Sequence, residues 1–280
     1  MSAVLFDVPG PKARTRNVYL NVLTAVVVAG ILGFVIYRFY ESGQFTAKKW
    51  EIFTYSQVQQ EFLKAIWATV SAFGVAAIGS LILGIILAFG RLAHTKWLSV
   101  PCYWFTELFR AVPLLILMMI MYYGLPSVGV AGITPFIAVV VGLILYNGSV
   151  LAEVFRAGIE SLPKGQGEAG LAIGLSTGQV LRGILLPQAI RAMLPVIIAQ
   201  LVVIMKDTAL GFLITYDEIL KYANFLGSQS QYGSPVVPGL MVAAGIYISL
   251  CLILSGIARF TEYKMSSRVK VVKAKAGIAG

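Results

Sequence analysis

The stretch SLPKGQGEAGLAIGLSTGQVLRGILLP, Ser161 to Pro187, is a moderately polar segment set between two long apolar ones, and its reading decides the rest. Ser161 and Pro163 suit a helix start, because a proline in the first turn gives up an amide hydrogen that has no partner there. Gly174 suits the stop. Ser176, with Gln179 three residues on, forms a capping box for a second short helix. That helix is expected to end before Pro187, since proline disfavours helical geometry in the residue preceding it. The segment therefore predicts two short helices outside lipid.

Working outward, the flanks are too apolar for a soluble globule. Of 280 residues 58% are hydrophobic and 12% charged, and the mean hydropathy is +0.84. Several apolar runs exceed the roughly 20 residues a span needs. The chain reads as an all-α integral membrane protein. A net charge of +10 would also suit nucleic acid, but the basic residues gather in the short links between apolar runs, as membrane topology requires. Nucleic acid is therefore excluded as a partner and lipid is the expected surroundings. Cys102 and Cys251 lie in or against apolar runs and suggest no disulfide framework. The first apolar run, from Val18, is longer than a signal core and lacks a small-residue cleavage site, so it is expected to remain as a span.

In chain order, the expected spans are Val18 to Tyr40, Ala65 to Gly90, Cys102 to Leu125, Thr134 to Phe155, Ala192 to Ile214 and Val237 to Phe260. Glu41 to Lys64, with Trp50, Phe53 and Tyr55 among charges, suits an interfacial segment. Arg91 to Trp97 is a basic turn holding the single histidine, His94. The division is a tail over 1–17, a first span and interfacial segment over 18–64, a core over 65–260 and a basic tail over 261–280. Of 22 basic residues, alternation from a cytoplasmic N-terminus puts 15 inside and 5 outside, with Arg110 and Lys206 within spans. That bias predicts six spans, both termini in the cytoplasm and Ser161 to Pro187 on the same side.

What is missing narrows the chemistry. One histidine excludes histidine-pair metal sites, and without a Gly-x-x-x-x-Gly-Lys-Ser/Thr loop the chain binds no ATP in the P-loop manner. No Ser/His/Asp set assembles near one face, which argues against a hydrolase. The chain is expected to be no enzyme and to hold no cofactor or metal.

Charges within spans are the next signal, since each costs roughly 2.5–3.5 kcal/mol near a helix centre on insertion scales. Lys206 and Asp207 are neighbours about 100° apart around the helix, so they cannot simply pair, and each wants another partner. Gln200 lies two turns before Asp207 on the same face, and Thr208 adds a hydroxyl. These four residues are candidates for a water-filled substrate path, with a network locking helices together as the other reading. Glu153 one turn from Arg156 suggests an ion pair near the cytoplasmic end. Arg110 one turn after Glu107 and before Pro113 suggests a hinge-stabilising pair.

A resemblance carries these features further. Glu168-Ala-Gly-x3-Gly174-x9-Ile184-x-Leu186-Pro187 resembles the EAA signature of permease subunits of bacterial ABC importers, in the form of the polar amino-acid uptake family. FRAVPLL at Phe109 to Leu115, AEVFRAGIESLPKGQ at Ala152 to Gln166, LPQAIRAMLP at Leu186 to Pro195 and KDTAL at Lys206 to Leu210 resemble its other blocks, covering about Ala65 to Phe260. VLFDVPGPKAR near the N-terminus, with the extra first span, is similar to glutamate-importer permeases of actinobacteria. One departure is Gly170 where the signature often has alanine, a cost of roughly 1 kcal/mol in local helix propensity.

The resemblance implies one extra N-terminal span on a five-helix permease core in the bacterial cell membrane. It implies a coupling loop in which Glu168, Ala169, Gly170, Gly174, Ile184, Leu186 and Pro187 meet the ATPase, Ala169 and Gly174 permitting close approach. It also implies two ATPase subunits that use ATP with magnesium, a second permease subunit, different or identical, and an extracellular solute-binding protein. For an anionic amino acid such as glutamate, Lys206 would meet a carboxylate, Asp207 the ammonium, and Gln200 or Thr208 the remainder. An ion-coupled secondary transporter is the alternative, and would carry its own coupling sites and often an inverted repeat, which is not seen. A subunit without a transport path is a third class.

Overall fold

The computed structural model describes residues 10–93 and 95–276, the side chains of 261–276 excepted. His94, the first nine residues of the N-terminal tail and the last four of the basic tail lie outside the described residues. Among those described, every regular element is helical. The main ones are α1 (Pro11–Glu41), α2 (Ser56–Arg91), α3 (Lys96–Ala111), α4 (Leu114–Ser127), α5 (Pro135–Glu160), α6 (Lys164–Ala172), α7 (Thr177–Ile214), α8 (Ile219–Gly227) and α9 (Val236–Ala276).

Five of these helices, α1, α2, α5, α7 and α9, are long and apolar enough to cross a membrane. The expected third span is not one straight helix: α3 and α4 meet at 98°. Pro113 causes the break, because its ring pushes the preceding residue out of helical geometry, and Val112 is extended at φ −81°, ψ 126°. Counting the bent pair as one span gives six. Beyond the elbow α4 rises only about 20 Å, against a hydrocarbon core of about 30 Å, so it cannot cross alone. The interfacial segment is also shorter than expected, since α2 starts at Ser56. Before it run two short helical turns, Ala47–Trp50 and Glu51–Thr54.

The closest pair is α2 with α5. A side chain at Gly84 would sit 2.9 Å from Leu151 Cβ, and one at Gly148 would sit 2.8 Å from Leu83, so glycine on each helix lets the two backbones approach, the usual device where lipid supplies no hydrophobic drive. Ser80 Oγ donates across the seam to the Leu143 carbonyl at 3.3 Å. One core cluster gathers Ala72, Met118, Leu143, Ile204 and Ile214. A second, toward α6, gathers Leu151, Phe155, Ala189, Met193 and Ile197. By contrast α1 has no buried residue. Its root is nevertheless pinned: Ile52 is 2% exposed and packs with Phe62 and Leu226.

Candidate coupling loop and translocation site

The polar stretch folds as two helices with the predicted caps. α6 begins at Lys164, after Pro163. At its end the Gly174 N–H donates to the Leu171 carbonyl and the Leu175 N–H to the Gly170 carbonyl, a Schellman closure that needs a left-handed residue. Gly174 supplies it at φ +84°. The Ser176 capping box is present, with Gln179 N–H donating to Ser176 Oγ and Ser176 N–H to Gln179 Oε1.

Within this chain Gly174 does not serve packing: it has open space where a side chain would go, and its part is the turn. Gly170 is the contact glycine: a Cβ there would meet Val180 Cγ2 at 2.7 Å and Ile184 Cδ1 at 3.0 Å. The departure from alanine therefore seats α6 against the start of α7. Nor does Pro187 end the second helix, for α7 runs through it from Thr177 to Ile214. A wider π turn at Leu181–Leu185 makes this possible. Its closing N–H, Leu186, bonds five residues back to Leu181, which relieves the clash a proline ring otherwise makes with the turn before it.

This packing sorts the loop residues. Ile184 and Leu186 are half-buried and Pro187 is exposed. Glu168 and Ala169 face outward, and Leu171 and Ile173 are 51% and 76% exposed. One acidic and two apolar side chains thus stand free on a rigid two-helix hook.

The candidate path residues divide. Lys206 and Asp207 stand where the α-helical part of α7 gives way to a 3-10 turn, Thr208–Ile214. At a rise of about 2 Å per residue they lie roughly 14 Å from that end, near the middle of a core of about 30 Å. Lys206 is exposed and Asp207 half-buried. Neither has a hydrogen bond or ion pair among the described residues; Asp207 feels only the Lys206 charge, and Lys206 also lies close to Cys251 of α9.

Gln200 does not reach them. Its Nε2 donates to Asn147 Oδ1 at 2.6 Å, and Asn147 Nδ2 donates to the Leu143 carbonyl at 3.1 Å. Thr208 faces another way, fully buried with its hydroxyl donating to the Met205 carbonyl. It also meets the Tyr247 hydroxyl, which donates to Glu218 Oε2 at 2.6 Å. Glu218, buried outside the spans, caps α8 by accepting from Leu220 and Lys221 N–H. Burial raises its carboxyl above the ordinary range, against these donations.

Asn147 and Glu218 were missed by sequence reading. The available signal for Asn147 was an amide deep in an apolar run. Asn147→Ala is expected to leave Gln200 without its acceptor and to cost about 1–3 kcal/mol of stability, the usual penalty for an orphaned buried polar group. Thermal unfolding of the purified protein measures it, and an unchanged midpoint would contradict this role.

The remaining charges meet at the α6 end of the bundle. Glu153 pairs with Arg156 and Arg110 with Glu107 at 3.2 Å, both as read from spacing. The link between these pairs was not foreseen. Arg91, at the end of α2, lies 2.9 Å from Glu153 and 3.6 Å from Glu107, with its guanidinium 5.2 Å from the Tyr103 ring centre.

A helical membrane protein with an exposed two-helix hook and unpaired charges midway along a span is built as a permease. The family described as binding-protein-dependent transport system inner membrane component matches residues 80–267, and the chain belongs to it as an amino-acid ABC importer permease. The glutamate transport system permease protein GluD of Corynebacterium glutamicum is 40% identical over 80% of this chain and 82% of its own length. The arginine transport system permease protein ArtQ of Bacillus subtilis is 34% identical over 73% and 92%. A crystal structure of an amino acid ABC transporter superposes with a TM-score of 0.68 at 25% identity, over 74% of this chain and 95% of that one.

Proposed function

We propose that this permease carries glutamate, driven by ATP that two partner subunits hydrolyse with magnesium. The observation that carries the reading is the unpaired Lys206 and Asp207 at mid-span. An acidic amino acid brings both charges they lack: a carboxylate for the Lys206 ammonium and an ammonium for the Asp207 carboxylate. Likeness to GluD favours glutamate over the arginine of ArtQ, and the exposed cation at Lys206 agrees. Gln200 and Thr208 serve this path as helix-packing groups beside it. A second permease subunit completes the cavity, and an extracellular solute-binding protein delivers the substrate. Nothing supports an ion-coupled mechanism.

The hook at α6 and α7 is the surface for the ATPase. Glu168 offers a charge, and Leu171 and Ile173 offer apolar area whose burial contributes about 25 cal/mol per Å². The test is uptake of labelled glutamate into vesicles holding the full complex with its binding protein. Competition by aspartate but not by arginine is expected; uptake of arginine in place of glutamate would overturn the substrate assignment.

The basic-residue bias puts the hook and both termini in the cytoplasm. Ser228→Cys is therefore expected to label in intact cells, and Ser267→Cys only after permeabilisation. Labelling of both in intact cells would refute this topology.

A further inference from the structure

We propose that six charges at the α6 end form a positioning relay through which the coupling hook acts on the elbow at Pro113, with Arg91 as its central link. The proposal rests on the reading of residues 161–187 as the ATPase surface. In order the relay runs Arg110, Glu107, Arg91, Glu153, Arg156, Glu160. The contacts are 3.2, 3.6, 2.9 and 2.5 Å, followed by the closing Arg156 to Glu160 pair. The signs alternate without a repeat.

Its ends explain what it joins. Arg110 precedes the last residue of α3, immediately before the 98° elbow. Glu160 is the last residue of α5, three before Pro163, where the hook begins. Between them the ion pairs that join the two halves run through Arg91, the one member on α2, with the Arg110 charge also felt directly at Glu153. The outer members are well hydrated, Glu160 being 51% exposed, and such pairs alone hold little. The Arg91 side chain is 9% exposed, so this one link is shielded from water and its charge is felt more strongly than those of the half-exposed members around it.

Arg91 also has two places to go. Its Nη1 is within ion-pair range of both Glu153 and Glu107, yet it makes no aligned hydrogen bond to either. A shift of α5 relative to α3 can pass it from one carboxylate to the other without leaving it unpaired. That supplies the two-state element that coupling between distant sites requires. A plain helix staple would need one aligned pair and would hold Arg91 in a single arrangement.

The experiment uses the full complex with its binding protein in vesicles and measures amino acid moved per ATP hydrolysed, together with retained ATPase and melting temperature. Arg91→Gln is expected to lower that ratio about fivefold or more, within the range that contacting residues couple, while the ATPase stays bound. Arg91→Lys, which keeps the charge but loses the fork, is expected to recover part of it. Adding Glu107→Gln to Arg91→Gln is expected to change little further, because the relay is already cut. An unchanged ratio in Arg91→Gln, or uptake and hydrolysis falling only in proportion to complex yield, would overturn the relay. A cross-link from Ile173→Cys to the ATPase tests the underlying reading separately. If that cross-link forms and the ratio is unchanged, the relay alone fails; if it does not form in an otherwise wild-type chain, the docking surface is wrong.

Discussion

Asp207→Asn is expected to lower uptake by about tenfold to hundredfold, the worth of one charge-assisted hydrogen bond at roughly 1.5–3 kcal/mol, in a complex that still assembles and still hydrolyses ATP. The variant keeps the size of the side chain and removes the carboxylate that would hold an ammonium. Because Asp207 has no hydrogen bond or ion pair among the described residues, loss of its charge breaks no polar contact within the chain, which separates it from Asn147. If the complex falls apart, Asp207 is a structural group after all. If uptake is untouched, the ammonium is held elsewhere.

Gly170→Val is the second large effect expected. Its first added carbon would lie 2.7 Å from Val180 and 3.0 Å from Ile184, and Val180 is buried and cannot swing clear. Overpacking of this kind costs about 1–3 kcal/mol, or about fivefold to more than a hundredfold in the population of the closed hook. The hook opens, Glu168, Leu171 and Ile173 lose their common platform, and the ATPase is expected to co-purify in much smaller amount. Gly174→Val strains the same hook through its backbone, since a β-branched residue is an outlier at φ +84°. Full ATPase retention in Gly170→Val would show that α6 docks without its seat on α7.

These two glycines show what a sequence discloses. The turn at Gly174 was legible because caps are local: a stop signal, a capping box and a proline fall within a few residues of one another. The seat at Gly170 was not, because its partners Val180 and Ile184 come into range only after the chain reverses. The same distinction covers the site. The Glu153 to Arg156 and Glu107 to Arg110 pairs follow from helical spacing, whereas Arg91 reaches them from another helix. Gln200 and Thr208 looked like companions of Asp207 by position on one helix, but Asn147 and Tyr247 on neighbouring helices claim them. The elbow at Pro113 was within reach, since proline restricts the residue before it; the apolar run across it masked the break.

The π turn at Leu181–Leu185 has a bearing on everything beyond it in α7. A π turn spends one more residue on its circuit than an α turn does, so all that follows is set back by about 100° relative to an unbroken α-helix of the same residues. The proline seam beside the hook thus also acts as an indexing tooth for the far half of the helix. Closing that turn to plain α geometry with the same residues would turn Gln200 away from Asn147 and carry Lys206 and Asp207 a quarter-turn around the barrel of α7, toward different neighbours. The azimuth of the charged pair is set more than a dozen residues away, at the point where the hook becomes a span.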